Sequence, residues 1–119
     1  VEKLAQLQKD DLPAKGEVKG YYISLSHIVK EFISEKLGID ALELTTEELA
    51  DILKIRIINP GSLQTLFYIL ELSDSVKFAK YIPNATDHEK AMAMAYRFVE
   101  EMKEGGEETG NDKQISIVR

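Results

Sequence analysis

The chain has 119 residues, 44% hydrophobic and 30% charged, which is the size and balance of one globular domain with a real core. A formal net charge of -6 argues against a surface that tracks nucleic-acid phosphates, and the lack of cysteine removes disulfides, thiolate metal sites and cysteine nucleophiles. No apolar run approaches the roughly 20 residues of a membrane span. No signal-peptide pattern opens the chain, and Val1 in place of methionine leads us to expect more protein upstream.

Leu4 and Leu7 among polar neighbours predict a short helix over residues 2–11, stopped by Pro13. The next segment is the strongest. Val18, Tyr21, Tyr22, Leu25, Ile28, Val29, Phe32, Ile33 and Leu37 recur at steps of three and four, so one broad face of a long helix is apolar. Lys30, Glu31, Ser34 and Glu35 fall on its polar side, and Gly38 supplies the left-handed residue that ends many helices. Thr45 with Glu48 three residues on is a capping box that introduces a third helix, whose stripe is Leu49, Ile52 and Leu53. The β-branched run Ile55-Arg56-Ile57-Ile58 fits either a helix end or brief extended chain. Asn59-Pro60-Gly61-Ser62 is punctuation. Beyond it Leu63, Leu66, Phe67, Ile69, Leu70 and Leu72 predict a fourth helix, apolar around much of its circumference and therefore central.

Pro83-Asn84-Ala85 breaks the chain again, and Thr86 with Glu89 repeats the capping-box spacing. A last amphipathic helix follows, carried by Ala91, Met92, Ala95, Tyr96, Phe98, Val99 and Met102 and ending near Lys103. From Gly105 the composition turns glycine-rich and acidic. We expect a single helical domain over residues 1–104 and a flexible tail over 105–119, with Ile115, Ile117 and Val118 fraying rather than pairing as a strand.

The residues that carry chemistry elsewhere are sparse here. His27 falls on the polar side of the second helix, and His88 lies between Asp87 and Glu89; neither has a second ligand at metal-binding spacing. Glu47, Glu48 and Asp51 are the acids a helix N-terminus favours. The glycines lack phosphate-loop spacing, and Ser24, Ser26 and Ser62 have no partnered base around them. No catalytic residue, cofactor or metal site is expected.

Residues 74–81 are the most distinctive stretch, mixing Asp74, Lys77, Phe78, Lys80 and Tyr81 at the end of the fourth helix. Asp74 and Lys77 stand at i, i+3, which suits a surface ion pair. Phe78 and Tyr81 are placed to plug the gap between the fourth and last helices. The same residues also suit a half-apolar, half-basic contact with an acidic partner, in which Lys77, Lys80 and Tyr81 face outward.

The order Lys19-x-x-Tyr22-x-x-Leu25-x-x-Ile28, Phe32, Leu37-Gly38-Ile39-x-Ala41-Leu42, Thr45-Thr46-Glu47-Glu48-Leu49 and Asp74-x-Val76-Lys77-Phe78-Ala79-Lys80-Tyr81-x-Pro83 resembles the helical cytoplasmic domain of BatD-like bacterial membrane proteins. The likeness runs over residues 3–102. It implies a non-enzymatic interaction module on the cytoplasmic side of a bacterial inner membrane, anchored by a segment outside this chain. It further implies MoxR-type AAA+ ATPases and von Willebrand factor A domain proteins as partners, and it brings no catalytic residues. The expected fold is all-α, a compact bundle of about five helices. The alternative expectation is a helix-turn-helix nucleic-acid binder built on the 46–53 and 63–72 helices, against which the acidic balance counts.

Overall fold

Leu4 and Leu7 are the inward-facing residues of α1 (Glu2–Asp10), and they set that helix against α2 (Val18–Leu37) and the last helix. A computed structural model describes residues 2–56 and 59–103. Between α1 and α2 the chain turns through a 3-10 segment, Leu12–Lys15, flanked by left-handed residues: Asp11 at φ 49° and Gly16 at φ 79°. Pro13 sits in the first turn of that segment, where its missing amide hydrogen is not needed.

The apolar face of α2 is the floor of the core. Tyr22, Leu25, Val29 and Ile33 are all fully buried, at steps of three, four and four. Gly38, at φ 70°, closes the helix by donating its amide to Ser34 O at 2.9 Å. The opposite side of α2 is less solvated than the pattern predicts. Ser34 Oγ accepts from Ala41 N at 2.9 Å, and Lys30 Nζ donates to Leu44 O at 2.9 Å. These two side chains clasp the return between α2 and α3, which contains the 3-10 turn Ala41–Glu43. Of the remaining polar positions, Glu31 pairs with Lys3 of α1 and Glu35 is exposed.

Helix α3 (Thr46–Arg56) begins with the expected box. Glu48 N donates to Thr45 Oγ1 at 3.1 Å, and Thr45 N donates to Glu48 Oε1 at 3.0 Å. Leu49 and Leu53 are fully buried and Ile52 is half-buried. Ile55 and Arg56 complete the helix, while Ile57 and Ile58 lie outside the described residues.

Helix α4 (Pro60–Phe78) starts directly at the punctuation. Asn59 Oδ1 accepts from Gly61 N at 2.8 Å, and Pro60 fills the first turn. As expected of a helix apolar around much of its circumference, α4 is central and packs on α2, α3 and α5. Its buried face includes Ser62, Thr65 and Ser73, whose hydroxyls are all satisfied: Ser62 donates to Glu101 Oε1 at 2.7 Å, Thr65 to Gly61 O at 2.9 Å and Ser73 to Ile69 O at 2.8 Å.

Helix α5 (Ala85–Lys103) corrects one expectation. Its cap is the pair Asn84 and Asp87, not Thr86 and Glu89: Asp87 N donates to Asn84 Oδ1 and Asn84 N to Asp87 Oδ2, both at 2.9 Å. Pro83 is buried just ahead, which fixes where the chain enters the bundle and makes Thr86 already helical. Ala91, Ala95, Phe98, Val99 and Met102 then close the core, although Tyr96 is only half-buried. Among the described residues the architecture is all-α, with five α-helices and no strand. No helix among them is long and apolar enough to cross a membrane. The tail expected over 105–119 lies outside the described residues.

Candidate functional site

The end of α4 divides the residues of the distinctive stretch into two groups. Asp74 and Lys77 bond across the junction of α2, α3 and α4, Lys77 largely covered and Asp74 with its side chain still 39% exposed. Lys77 Nζ lies 3.8 Å from Asp74 Oδ1 and donates to Ser26 Oγ of α2 at 3.3 Å, with its side chain only 17% exposed. Asp74 Oδ2 accepts from Thr46 Oγ1 of α3 at 2.7 Å. The expected i, i+3 pair is present, but it joins three helices instead of decorating a surface. Burial lowers the pKa of nearby Lys30, and the charge of Lys77 adds to that effect against the opposing pull of Asp74. Lys77 is therefore a structural pin and offers little free charge to a partner.

Phe78, Lys80, Tyr81 and Ile82 form the other group. Ala79 N and Tyr81 N both donate to Ser75 O at 3.0 Å, and Lys80 between them adopts φ 60°, a left-handed conformation costly for a residue with a Cβ. This exit turn throws the side chains outward: Phe78 is 77% exposed and Ile82 86%. Phe78 does not plug the gap between α4 and α5. The reason is its register, since it follows the inward-facing Val76 by two positions, about 200° around a helix of 3.6 residues per turn. Tyr81 is 47% exposed and reaches α5 through its hydroxyl, which donates to Asp87 Oδ2 at 3.0 Å. That hydrogen bond, reinforced by the charge of Asp87, raises the Tyr81 pKa. Lys80 is exposed. The apolar edge over residues 78–82 thus holds three of the predicted contact residues, and Ile82, which sequence reasoning missed. An isoleucine before proline carries no signal of exposure.

A second feature was not legible in the sequence. Tyr21 and Tyr22 of α2 meet His88 of α5 in a three-ring cluster with centroid separations of 5.1, 5.8 and 5.6 Å. The Tyr22 hydroxyl lies 2.8 Å from His88 Nδ1, and the Tyr21 hydroxyl donates to His88 O at 3.2 Å. Burial pushes the Tyr21 pKa up to about 12 and raises that of Tyr22 further, with smaller contributions from Asp11 and Tyr21 respectively. Tyr21 and His88 also line a groove of about 470 Å³ with Gln8, Asp11, Glu89 and Met92. His88 is thus held by phenols, not merely flanked by the acids Asp87 and Glu89. His27 is exposed, as expected.

Two of the three serines weighed as nucleophiles bond away from histidine: Ser26 donates to Ile23 O at 3.1 Å and Ser62 to Glu101 Oε1 at 2.7 Å. No group of three or more His, Cys, Asp or Glu side chains among the described residues is arranged to hold a metal ion. No family model, curated protein or solved structure matches this chain.

Proposed function

We propose that this chain is a non-enzymatic protein-interaction module whose docking surface is the 78–82 edge. The observation that carries the reading is the exposure of Phe78 and Ile82 on either side of Lys80 and Tyr81. Two large apolar side chains held outward by a turn that costs backbone strain are a liability in a lone domain, and covering them with a partner offsets that liability. Lys80 gives the edge a positive charge on an acidic chain, which favours an acidic rim on the partner.

The block Asp74-x-Val76-Lys77-Phe78-Ala79 supports placing this module in a membrane-anchored Bat-type protein, on the cytoplasmic side of the inner membrane. Its partners would then be a MoxR-type AAA+ ATPase and von Willebrand factor A domain proteins. The central position of α4 also favours a protein partner over a nucleic acid. The exposed positions of α4 include Gln64 and Glu71, and its lysine is pinned at Ser26, so it presents no basic reading face.

Calorimetric titration against those two purified partners tests the reading. Phe78→Ser combined with Ile82→Ser weakens binding by about tenfold or more, and Lys80→Glu weakens it further against an acidic partner. Equal affinity of the variants and the parent chain refutes the edge as the contact.

A further inference from the structure

We propose that the groove between the end of α1, the 3-10 segment Leu12–Lys15 and the start of α5 binds a small organic ammonium ion with an aromatic body. This site is separate from the 78–82 edge and stands or falls independently of it.

The groove has the size and the floor that such a molecule needs. Its volume of about 470 Å³ lies in the range of pockets that enclose small ligands. Met92 and Tyr21 line it and are themselves buried, and the Tyr21 hydroxyl is held by His88 O. A polarizable thioether beside a phenol ring suits a flat aromatic body. The rim decides the charge. Asp11 and Glu89 line it, and no lysine or arginine does. Neither carboxylate has a hydrogen bond or ion pair among the described residues, whereas Asp74, Glu31 and Glu101 are each paired with a cation. The field of Asp11 reaches into the groove, since it adds to burial in raising the Tyr21 pKa. The helix ends agree. α1 ends at Asp10, immediately before Asp11, so the negative end of its dipole lies at this rim. The opposing positive end of α5 is already taken, because Asn84 and the Asp87 carboxylate cap it. An anion entering the groove meets two uncompensated carboxylates, and an ammonium group gains both.

Tryptamine is the probe that tests this. Indole-3-propionate, which carries the same ring on a similar tether with a carboxylate in place of the ammonium, is the control. Titrated into the isotope-labelled full chain at pH 7 and low salt, tryptamine moves the signals of Gln8, Tyr21, His88 and the Met92 methyl along one saturating curve. Half-saturation falls at roughly millimolar concentration or below. Indole-3-propionate leaves those signals in place. Glu89→Gln and Asp11→Asn each weaken tryptamine binding about three- to fivefold, and added salt weakens it in the parent chain. Asparagine tolerates the φ of 49° at position 11. Glu89→Gln changes an exposed helical position and decides alone if the turn at position 11 does not hold. Shifts that fail to saturate, that gather at Phe78 and Ile82 instead, or that appear equally with indole-3-propionate overturn the inference. So does tryptamine affinity that Glu89→Gln leaves unchanged.

Discussion

The Tyr22 hydroxyl and His88 Nδ1 lie 2.8 Å apart, joining the second turn of the core-forming helix α2 to the first turn of α5 across 66 positions of sequence. Tyr22 is fully buried, so this hydrogen bond is shielded from competing water. Tyr22→Phe keeps the ring and removes the partner of His88. We expect a loss of about 1–2 kcal/mol in denaturant unfolding, and a coupling of about 1 kcal/mol in a double-mutant cycle with His88→Ala.

The same phenols give stability a dependence on alkaline pH. The free tyrosine value is 10.0, and the folded protein raises Tyr21 to about 12 and Tyr22 further. A group whose folded pKa is raised contributes stability that is complete below its unfolded value. That contribution is lost as pH rises through the folded one. Stability therefore falls between pH 10 and 12, while Lys30, whose pKa burial lowers, acts in the opposite direction. Unfolding midpoints measured across that range fall together with the rise of phenolate absorbance, and fall less steeply in Tyr22→Phe.

Gly20 lies within the first turns of α2, and a methyl group added there meets only Glu17 Oε1 at 3.7 Å and Leu12 Cδ1 at 3.9 Å, which are ordinary contacts. Gly20→Ala removes backbone freedom from the unfolded chain at no packing cost. A gain of about 0.5–1 kcal/mol in chemical denaturation is expected.

The two possible caps of α5 make opposite predictions. Asn84→Ala deletes the acceptor of the Asp87 amide and costs about 1 kcal/mol. Thr86→Ala changes an exposed side chain inside the helix and stays within about 0.5 kcal/mol of the parent. Thermal unfolding of the two variants side by side distinguishes them.

Lys80→Gly separates fold from function at the exit of α4. Glycine adopts the φ of 60° without the Cβ clash, so stability rises by about 0.5–1 kcal/mol after the greater freedom of the unfolded chain is subtracted. The positive charge disappears with it. Binding to an acidic partner weakens although the domain is more stable, which a purely structural role for this turn does not produce.

These comparisons show where sequence reasoning succeeds on this chain. The stripe from Tyr22 to Leu37, the left-handed stop at Gly38 and the Thr45 box are local, and each is decided within a few residues. Phe78 was misplaced because α4 is apolar on several sides, so periodicity alone cannot choose which side faces the core. The spacing of Thr86 and Glu89 fits a cap as well as Asn84 and Asp87 do; burial of Pro83, a tertiary fact, selects between them. Lys77 illustrates the same limit. Its ion pair with Asp74 is local and legible, whereas its bond to Ser26 is 51 positions away and converts a candidate docking charge into an internal strut.

Hydrogen-exchange mapping of the domain with and without a bound von Willebrand factor A domain or MoxR-type partner tests the central claim most directly. Covering of the exposed edge predicts slowed exchange at the amides of Phe78, Tyr81 and Ile82, with the α5 amides around Phe98 unchanged. Protection that spares the edge and gathers instead at Gln8, Tyr21 and Met92 contradicts the account and moves the contact to the groove beside His88.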